Sequence, residues 1–266
     1  MATAVFFHAH PDDEAIASGG TMARAHAAGH RVVLVLATRG ELGEPVPGVL
    51  REGEELWQRR VEESYRSAEI LGAERVEFLG YRDSGMIGEP TNDDERAFWQ
   101  ADLDVAAGRL AAILREEDAD LICVYDDHGG YGHPDHVQVH RVGVRAAELA
   151  GVSKVFEMTM NRDAMLRQMK SGGFPGDEDG DFENRRRAMN MDEMGSPESM
   201  ITHSIDVNDY IDRKREAMLA HASQIAPDSF FLQMSQEYFM QAFGSEWFIE
   251  IGRERNGGAF LDDIFG

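Results

Sequence analysis

The chain has ten histidines, and six of them fall in two short windows. The first reads His8-Ala9-His10-Pro11-Asp12-Asp13-Glu14. The second reads His128-Gly129-Gly130-Tyr131-Gly132-His133-Pro134-Asp135-His136, with His140 one helical turn further on. Imidazoles interleaved with carboxylates are ligands for a divalent metal. Pro11 suits the first turn of a helix, and the i, i+3 spacing then sets Asp13 on the same side as His10 while Asp12 faces elsewhere. His136 supplies a third ligand from the second window. A His-Asp-His set with one position open is a catalytic arrangement, and imidazole nitrogens favour zinc or another divalent transition metal over magnesium or calcium. The plainer alternative is that Asp12 and Asp13 only cap a helix and complement its dipole. Two such windows, each just past an apolar run, favour the metal.

The remaining polar residues then take roles around that centre. Asp12 accepts a proton from water that such a metal activates. His133 donates to an oxyanion or a leaving amine. Tyr131, carried on a glycine-rich turn, does the same or packs as an ordinary aromatic. Asp135 orients a ligand histidine from behind. His8 and His140 are structural, and Cys123, inside an apolar run, is an inert core residue.

These windows need a scaffold, and the apolar pattern supplies one. Ala4–His8, Arg31–Ala37, Arg75–Leu79, Leu121–Tyr125 and Lys154–Met160 read as strands buried on both faces, as parallel strands are. Asp13–Ala28, Glu52–Leu71, Phe98–Glu116 and His136–Ala150 read as helices, three of them followed by a glycine suited to a C-cap (Gly29, Gly72, Gly151). Strand and helix in alternation predict an α/β fold: a doubly wound, mostly parallel Rossmann-like sheet with helices on both faces and a C-terminal elaboration. Ligands of such sheets bind beyond the carboxyl ends of the strands. Two further polar loops open on that rim. Thr38–Glu44 follows the second strand and offers Glu44; Tyr81–Met86 follows the third and offers Asp83. Residues 1–160 form the core. Lys170–Ser199, with its Arg185-Arg186-Arg187 run, reads as a long surface excursion or a mobile lid. Residues 200–266 form the elaboration, with a strand at Ile201–Val207, a helix at Asn208–Ser223 capped by Asn208, and an aromatic tail that packs down. No linker divides two cores, so residues 1–266 are one domain.

Length and charge narrow the function. The 266 residues carry 26 basic against 49 acidic side chains, a net charge of −23. That balance disfavours nucleic acid, which needs a basic face, and anionic membrane surfaces. One cysteine excludes an intrachain disulfide framework. The start of the chain has no basic region before its apolar stretch, and no apolar run is long enough to span a bilayer. The expected compartment is the cytoplasm and the expected partner a small molecule; a homo-oligomer stays open.

Ala9–Glu14 (AHPDDE) and Gly132–His136 (GHPDH) make the resemblance specific. The chain resembles the LmbE/PIG-L family of zinc-dependent N-acetylglucosaminyl deacetylases. GGYGHPDH and YRDSGM are most similar to its actinobacterial mycothiol-pathway branch, which contains a GlcNAc-inositol deacetylase and a mycothiol S-conjugate amidase. The similarity runs from about Ala4 to Gly151, with a weaker echo at Lys214–Gln224 (KREAMLAHASQ) that includes His221. It implies zinc on His10, Asp13 and His136, Asp12 as general base, His133 as acid or oxyanion donor and Tyr131 as a mobile helper. Arg60 and Asp83 match positions that hold the sugar in related deacetylases. Their plainer alternatives are a helix-surface salt bridge and a turn-forming Asx residue. Lys170–Ser199 departs from both mycothiol enzymes.

The expected reaction is therefore removal of the N-acetyl group from an N-acetylglucosamine-type glycoside. The alternatives with the same chemistry are a mycothiol S-conjugate amidase and a natural-product glycoside deacetylase. A nucleotide-binding Rossmann module is disfavoured because HPDDE stands where a glycine-rich phosphate turn would be. A non-catalytic metal module leaves the free carboxylate of Asp12 without a use.

Overall fold

The computed structural model describes residues 1–170, 186–187 and 190–266. The five apolar runs become parallel strands: β1 (Thr3–His8), β2 (Arg31–Leu36), β3 (Arg75–Phe78), β4 (Leu121–Tyr125) and β5 (Lys154–Thr159). Every residue of Ala4–His8, Val32–Leu36 and Leu121–Tyr125 is buried, which requires cover on both faces of the sheet. The strand order is β3-β2-β1-β4-β5-β7-β6. Connectivity reverses between β1 and β4, and both strands point the same way, so their carboxyl ends frame one crevice. The doubly wound, mostly parallel sheet read from the sequence is thus the observed architecture.

The helices are α1 (Asp13–Ala17), α2 (Gly19–Ala27), α3 (Leu56–Leu71), α4 (Leu103–Glu116), the single turn α5 (Gly129–Gly132), α6 (Pro134–Ala150), α7 (Arg162–Lys170), α8 (Ile211–Ala220), the single turn α9 (Phe230–Gln233) and α10 (Gln236–Phe243). α4 packs on α6, and α2 and α8 pack on α3. Among the described residues, no helix is long and apolar enough to cross a membrane.

Several boundaries differ from the sequence reading, each for a physical reason. The expected helix Asp13–Ala28 breaks at Ser18, whose φ of −141° is not helical. The new end at α2 is stabilised by Glu246, which accepts the Gly20 and Thr21 N–H groups at 2.8 Å each. α3 begins at Leu56 instead of Glu52 because Glu55 and Gln58 form a reciprocal capping box. The expected helix Phe98–Glu116 starts with a 3-10 turn (Phe98–Gln100) and restarts at Asp102, whose side chain accepts from Val105 N–H. Asn208 does not cap the C-terminal helix; its side chain donates to Asp206, a 3-10 turn intervenes, and α8 proper runs from Ile211. The late strand shortens to β6 (His203–Asp206), and part of the aromatic tail is β7 (Ser245–Glu250). β7 lies antiparallel between β5 and β6. The expected excursion Lys170–Ser199, Arg185 included, falls largely outside the described residues. Its returning end is pinned by Arg162, which donates to the Met194 and Gly195 carbonyls at 2.8 and 2.6 Å.

Glu246 also receives the ammonium of Lys214 from α8, and both side chains are buried. Removing the carboxylate leaves a buried ammonium unpaired, whereas removing the lysine leaves Glu246 with two backbone donors. We therefore expect Glu246→Leu to lose about 3–5 kcal/mol of stability, Lys214→Met to lose less, and the double variant to recover part of the loss. Urea denaturation midpoints check this order.

Glu157 on β5 faces inward beside Asp126, Asp127, His128 and His140. Burial, reinforced by the two aspartates and opposed by His128, pushes its carboxyl from 4.5 up to about 7. The folded chain then holds a proton that the unfolded chain releases, so stability falls as pH rises from about 4.5 to about 7. Glu157→Gln should remove that fall and leave the protein more stable at pH 8 by on the order of 2 kcal/mol. Denaturation at pH 5 and pH 8 measures it; an unchanged difference between the two pH values contradicts it.

Candidate metal centre

β1 delivers His10 to the mouth of the crevice, and the turn after it folds Asp13 back. The His10 N–H donates to Asp13 Oδ2 at 2.8 Å. The same oxygen lies 3.4 Å from His10 Nδ1 and 3.5 Å from His136 Nε2. The i, i+3 pair read from the sequence thus meets His136, supplied by the first turn of α6. His136 Nε2 is buried with no hydrogen-bond partner. A buried, unpaired nitrogen aimed at a carboxylate and two other imidazoles is costly by itself, and it is the atom a metal would satisfy. The nitrogens of His10, His133 and His136 lie within 4.8 Å of one another. The donor set therefore fits a divalent metal, and its imidazole content suits a transition metal.

Packing behind these groups fixes their orientation. The Tyr125 ring lies flat on His136, with centroids 4.2 Å apart and planes at 6°. The Tyr125 hydroxyl is 3.0 Å from His8 Nδ1, and His8 Nε2 is 3.0 Å from Ser18 Oγ. Burial holds His8 neutral, with its pKa lowered to about 4. His140 is set by the Tyr125 carbonyl at 3.1 Å. Cys123 is buried in β4, where burial raises its thiol pKa well above the usual range. On the other flank of His10, Nε2 is 3.1 Å from Asp135 Oδ2 and 3.5 Å from Asp83 Oδ1. Asp135 is itself held by the Ser84 N–H at 3.0 Å and by the Ser84 hydroxyl.

Asp12 has φ +104°, a backbone state that non-glycine residues seldom adopt. Its carboxylate lies 3.3 Å from Arg60 Nη2. Burial pushes the Asp12 carboxyl up to about 6, against the pull of the guanidinium. Arg60 is not at the helix surface. It is buried, and it donates to the Gly40 carbonyl at 2.9 Å and to the Pro11 carbonyl. Gly40 permits that approach, since a Cβ there would fall 2.2 Å from Arg60 Nη1. Asp83 accepts Gly85 N–H at 2.9 Å, the Asx turn of the plainer alternative, and it also faces His10. It also accepts Leu42 N–H at 3.2 Å.

His133 caps α6, its Nδ1 accepting the Asp135 N–H at 3.1 Å. The neutral ring therefore carries its proton on Nε2. Burial, together with the charges of His10 and His136, lowers its pKa to about 4. Tyr131 is 49% exposed, and its ring packs edge-on against His133 as well as His136. It stands between Gly130 (φ +72°) and Gly132 (φ +90°), with its ring 5.0 Å from that of His136. The turn is anchored by Asp126, which accepts Gly130 N–H at 2.6 Å. Glu44 is exposed at the end of its loop. Besides Leu42, Glu41 ties the two rim loops together by accepting Asp83 N–H at 3.1 Å. Glu41, Ser84 and Tyr125 were not singled out from sequence. The first two lie in the rim loops and the third ends a strand, but nothing local in the sequence shows what they touch.

A family profile described as "PIG-L: GlcNAc-PI de-N-acetylase" matches residues 5–147. The chain is 42% identical over 260 residues to a protein of Acidothermus cellulolyticus named 1D-myo-inositol 2-acetamido-2-deoxy-alpha-D-glucopyranoside deacetylase, with 91% of this chain and 86% of the relative covered. A protein of the same name from Thermomonospora curvata is 38% identical over 271 residues, covering 92% and 88%. Among solved structures, the N,N'-diacetylchitobiose deacetylase of Pyrococcus horikoshii superposes with a TM-score of 0.59 at 22% identity, over 94% of this chain and 83% of that one, and so shares the fold. The two histidine-carboxylate motifs, the Rossmann-like sheet that joins them and these relatives agree: the chain belongs to the PIG-L family.

Proposed function

We propose that this protein is a metal-dependent N-deacetylase that hydrolyses the acetamide of 1D-myo-inositol 2-acetamido-2-deoxy-alpha-D-glucopyranoside, the compound named in its relatives, with zinc on His10, Asp13 and His136. The observation that carries this reading is the orphaned, buried Nε2 of His136 facing the Asp13 carboxylate beside His10, with a second carboxylate, Asp12, at the same mouth. A divalent cation held there supplies Lewis acidity toward an amide carbonyl and toward water.

The chain's own residues supply the rest. Asp12 takes the proton of the attacking water, and a carboxyl raised to about 6 is a better base near neutral pH than an ordinary aspartate. Arg60 keeps that carboxylate in place. His133, with its proton on Nε2, donates to the oxyanion that forms on the carbonyl oxygen. Tyr131, on its glycine turn, is a second donor that swings in. Asp135 fixes His10 through Nε2, leaving Nδ1 toward Asp13. Asp83 and Arg60 border the sugar side and Glu44 the outer rim, where a polyol aglycone offers hydroxyls. An acidic protein that acts on a neutral sugar needs no basic surface, in keeping with a cytoplasmic enzyme that meets a small molecule.

Asp12→Asn should keep its metal and lose about 10²–10⁴-fold in kcat, read by acetate release and by elemental analysis of the same sample. Metal loss in that variant would instead make Asp12 a ligand. His136→Ala should lose the metal. Chelator should abolish activity, and added zinc should restore it.

Substrate choice gives a second expectation. The GlcNAc-inositol glycoside should turn over at least about 10⁴-fold faster than an acetyl-lysine peptide, which cannot pair the polar groups of the rim. Release of a cysteine conjugate at a comparable rate would point to the S-conjugate amidase reaction. Arg60→Ala and Asp83→Ala should impair the sugar reaction with metal content unchanged.

A further inference from the structure

The C-terminal elaboration sends one side chain to the back of the site. His221, at the end of α8, is buried, and its Nε2 is 2.6 Å from Oε1 of Glu14, a residue 207 positions earlier in the chain. Ser67 of α3 donates to the same oxygen at 2.5 Å. The other oxygen, Oε2, accepts the backbone N–H of Asp12 at 3.1 Å. Glu14, Ser67 and His221 are all fully buried. Ser223, two residues after His221, is fastened as well. Ser223 donates its N–H and its hydroxyl to the Glu63 carboxylate at 2.9 and 2.6 Å, and its carbonyl accepts Val46 N–H at 2.8 Å. The turn after α8 is thus joined at once to α1, α3 and the loop that follows β2.

The strain at Asp12 gives this arrangement its meaning. A non-glycine residue in that backbone state costs on the order of 1–3 kcal/mol and persists only where its surroundings enforce it. The Asp12 carbonyl accepts the N–H groups of Ala15 and Ile16 at 3.1 and 3.3 Å, and on the other side of the residue the Asp12 N–H is held by Glu14 Oε2. Glu14 can hold that bond only if its own carboxylate is fixed, and His221 and Ser67 fix it from the far side. If Glu14 turns away, the peptide at Asp12 relaxes and its carboxylate leaves Arg60.

We propose that His221 is a positioning residue: through Glu14 it locks the backbone at Asp12 and so aims the Asp12 carboxylate at the water it deprotonates. This rests on Asp12 being the general base. The hydrogen bond of the His221 side chain goes to Glu14 and to none of His10, Asp13, His133 or His136. The same contact explains why the KREAMLAHASQ segment, far from both motifs in sequence, belongs to the working part of the molecule.

The test is a cycle of single and double variants in the zinc-loaded full-length enzyme, with the GlcNAc-inositol glycoside as substrate. His221→Ala should lower kcat by about tenfold to a hundredfold, the scale of a small misplacement of a reacting group. KM and metal per chain should stay as in the wild type. His221→Gln, which places an amide nitrogen where Nε2 stands, should recover most of kcat. In an Asp12→Asn background, His221→Ala should cost nothing further, because the two residues act as one unit. If His221→Ala does not fold, Ser67→Ala removes a donor from the same Glu14 oxygen with the buried pair in place, and should show the same lack of additivity. Full kcat in His221→Ala, or an equal loss in both backgrounds, overturns the inference while leaving Asp12 as the base. Wild-type turnover in Asp12→Asn alone overturns the reading of Asp12 itself.

Discussion

Parallel pairing of β1 with β4 sets Ala4 beside Leu121, Val5 beside Ile122 and Phe6 beside Cys123. That register brings the ends of the two strands to one level. The His10 turn and the His133–His136 turn then face each other across a gap of a few ångströms, although more than 120 residues separate them in sequence. A slip in this pairing would move His10 relative to His136 by one residue spacing, about 3.3 Å, and the three imidazoles would no longer share a centre. Burial of both faces of β1 and β4 resists such a slip, since each strand is pressed between helices by side chains that fit only one register.

Around this frame the acidic chain uses buried carboxylates as attachment points. Glu14 receives Ser67 and the Asp12 amide and pairs with His221; Glu63 receives Ser223; Glu246 receives two α2 amides and Lys214; Asp126 receives Gly130 and Thr159; Asp135 receives Ser84 and pairs with His10. A carboxylate out of water is unfavourable unless several donors reach it. Each of these has them, at least one from an element far away in sequence. The result is directional. Apolar packing alone lets a C-terminal segment settle in several ways on a sheet, whereas Glu246 and Glu14 accept it in one. The same carboxylates hold the backbone beside the metal-competent groups, so the bonds that attach the elaboration also stiffen the site.

The rim shows how the same physics divides labour between neighbours. Asp12 and Asp13 are adjacent, yet burial raises the first while the imidazoles of His136 and His10 outweigh burial and hold the second well below the usual carboxylate range. The first carboxyl is thereby brought nearer neutrality, as the proposed proton acceptor requires, and the second stays an anion, as the proposed metal ligand must. The reversal of backbone direction at Asp12 makes this separation possible, since it turns one carboxylate toward Arg60 and the other toward the histidines.

The sequence by itself determined the five parallel strands, the C-terminal ends of α3, α4 and α6 and the residue types of the centre. These follow from local rules: apolar runs buried on two faces, glycine at C-caps, and the i, i+3 relation of His10 to Asp13. It also carried the two family motifs. Only the tertiary structure decided that Arg60 is buried against Asp12, that Glu41 and not Glu44 joins the rim loops, that β7 enters between β5 and β6, and that His221 stands behind Glu14. Each of these depends on which surfaces meet after the sheet has formed. Periodicity records which face of an element is apolar, but a hydrogen bond across 207 residues is fixed by strand order, register and helix packing together, and no local pattern encodes it.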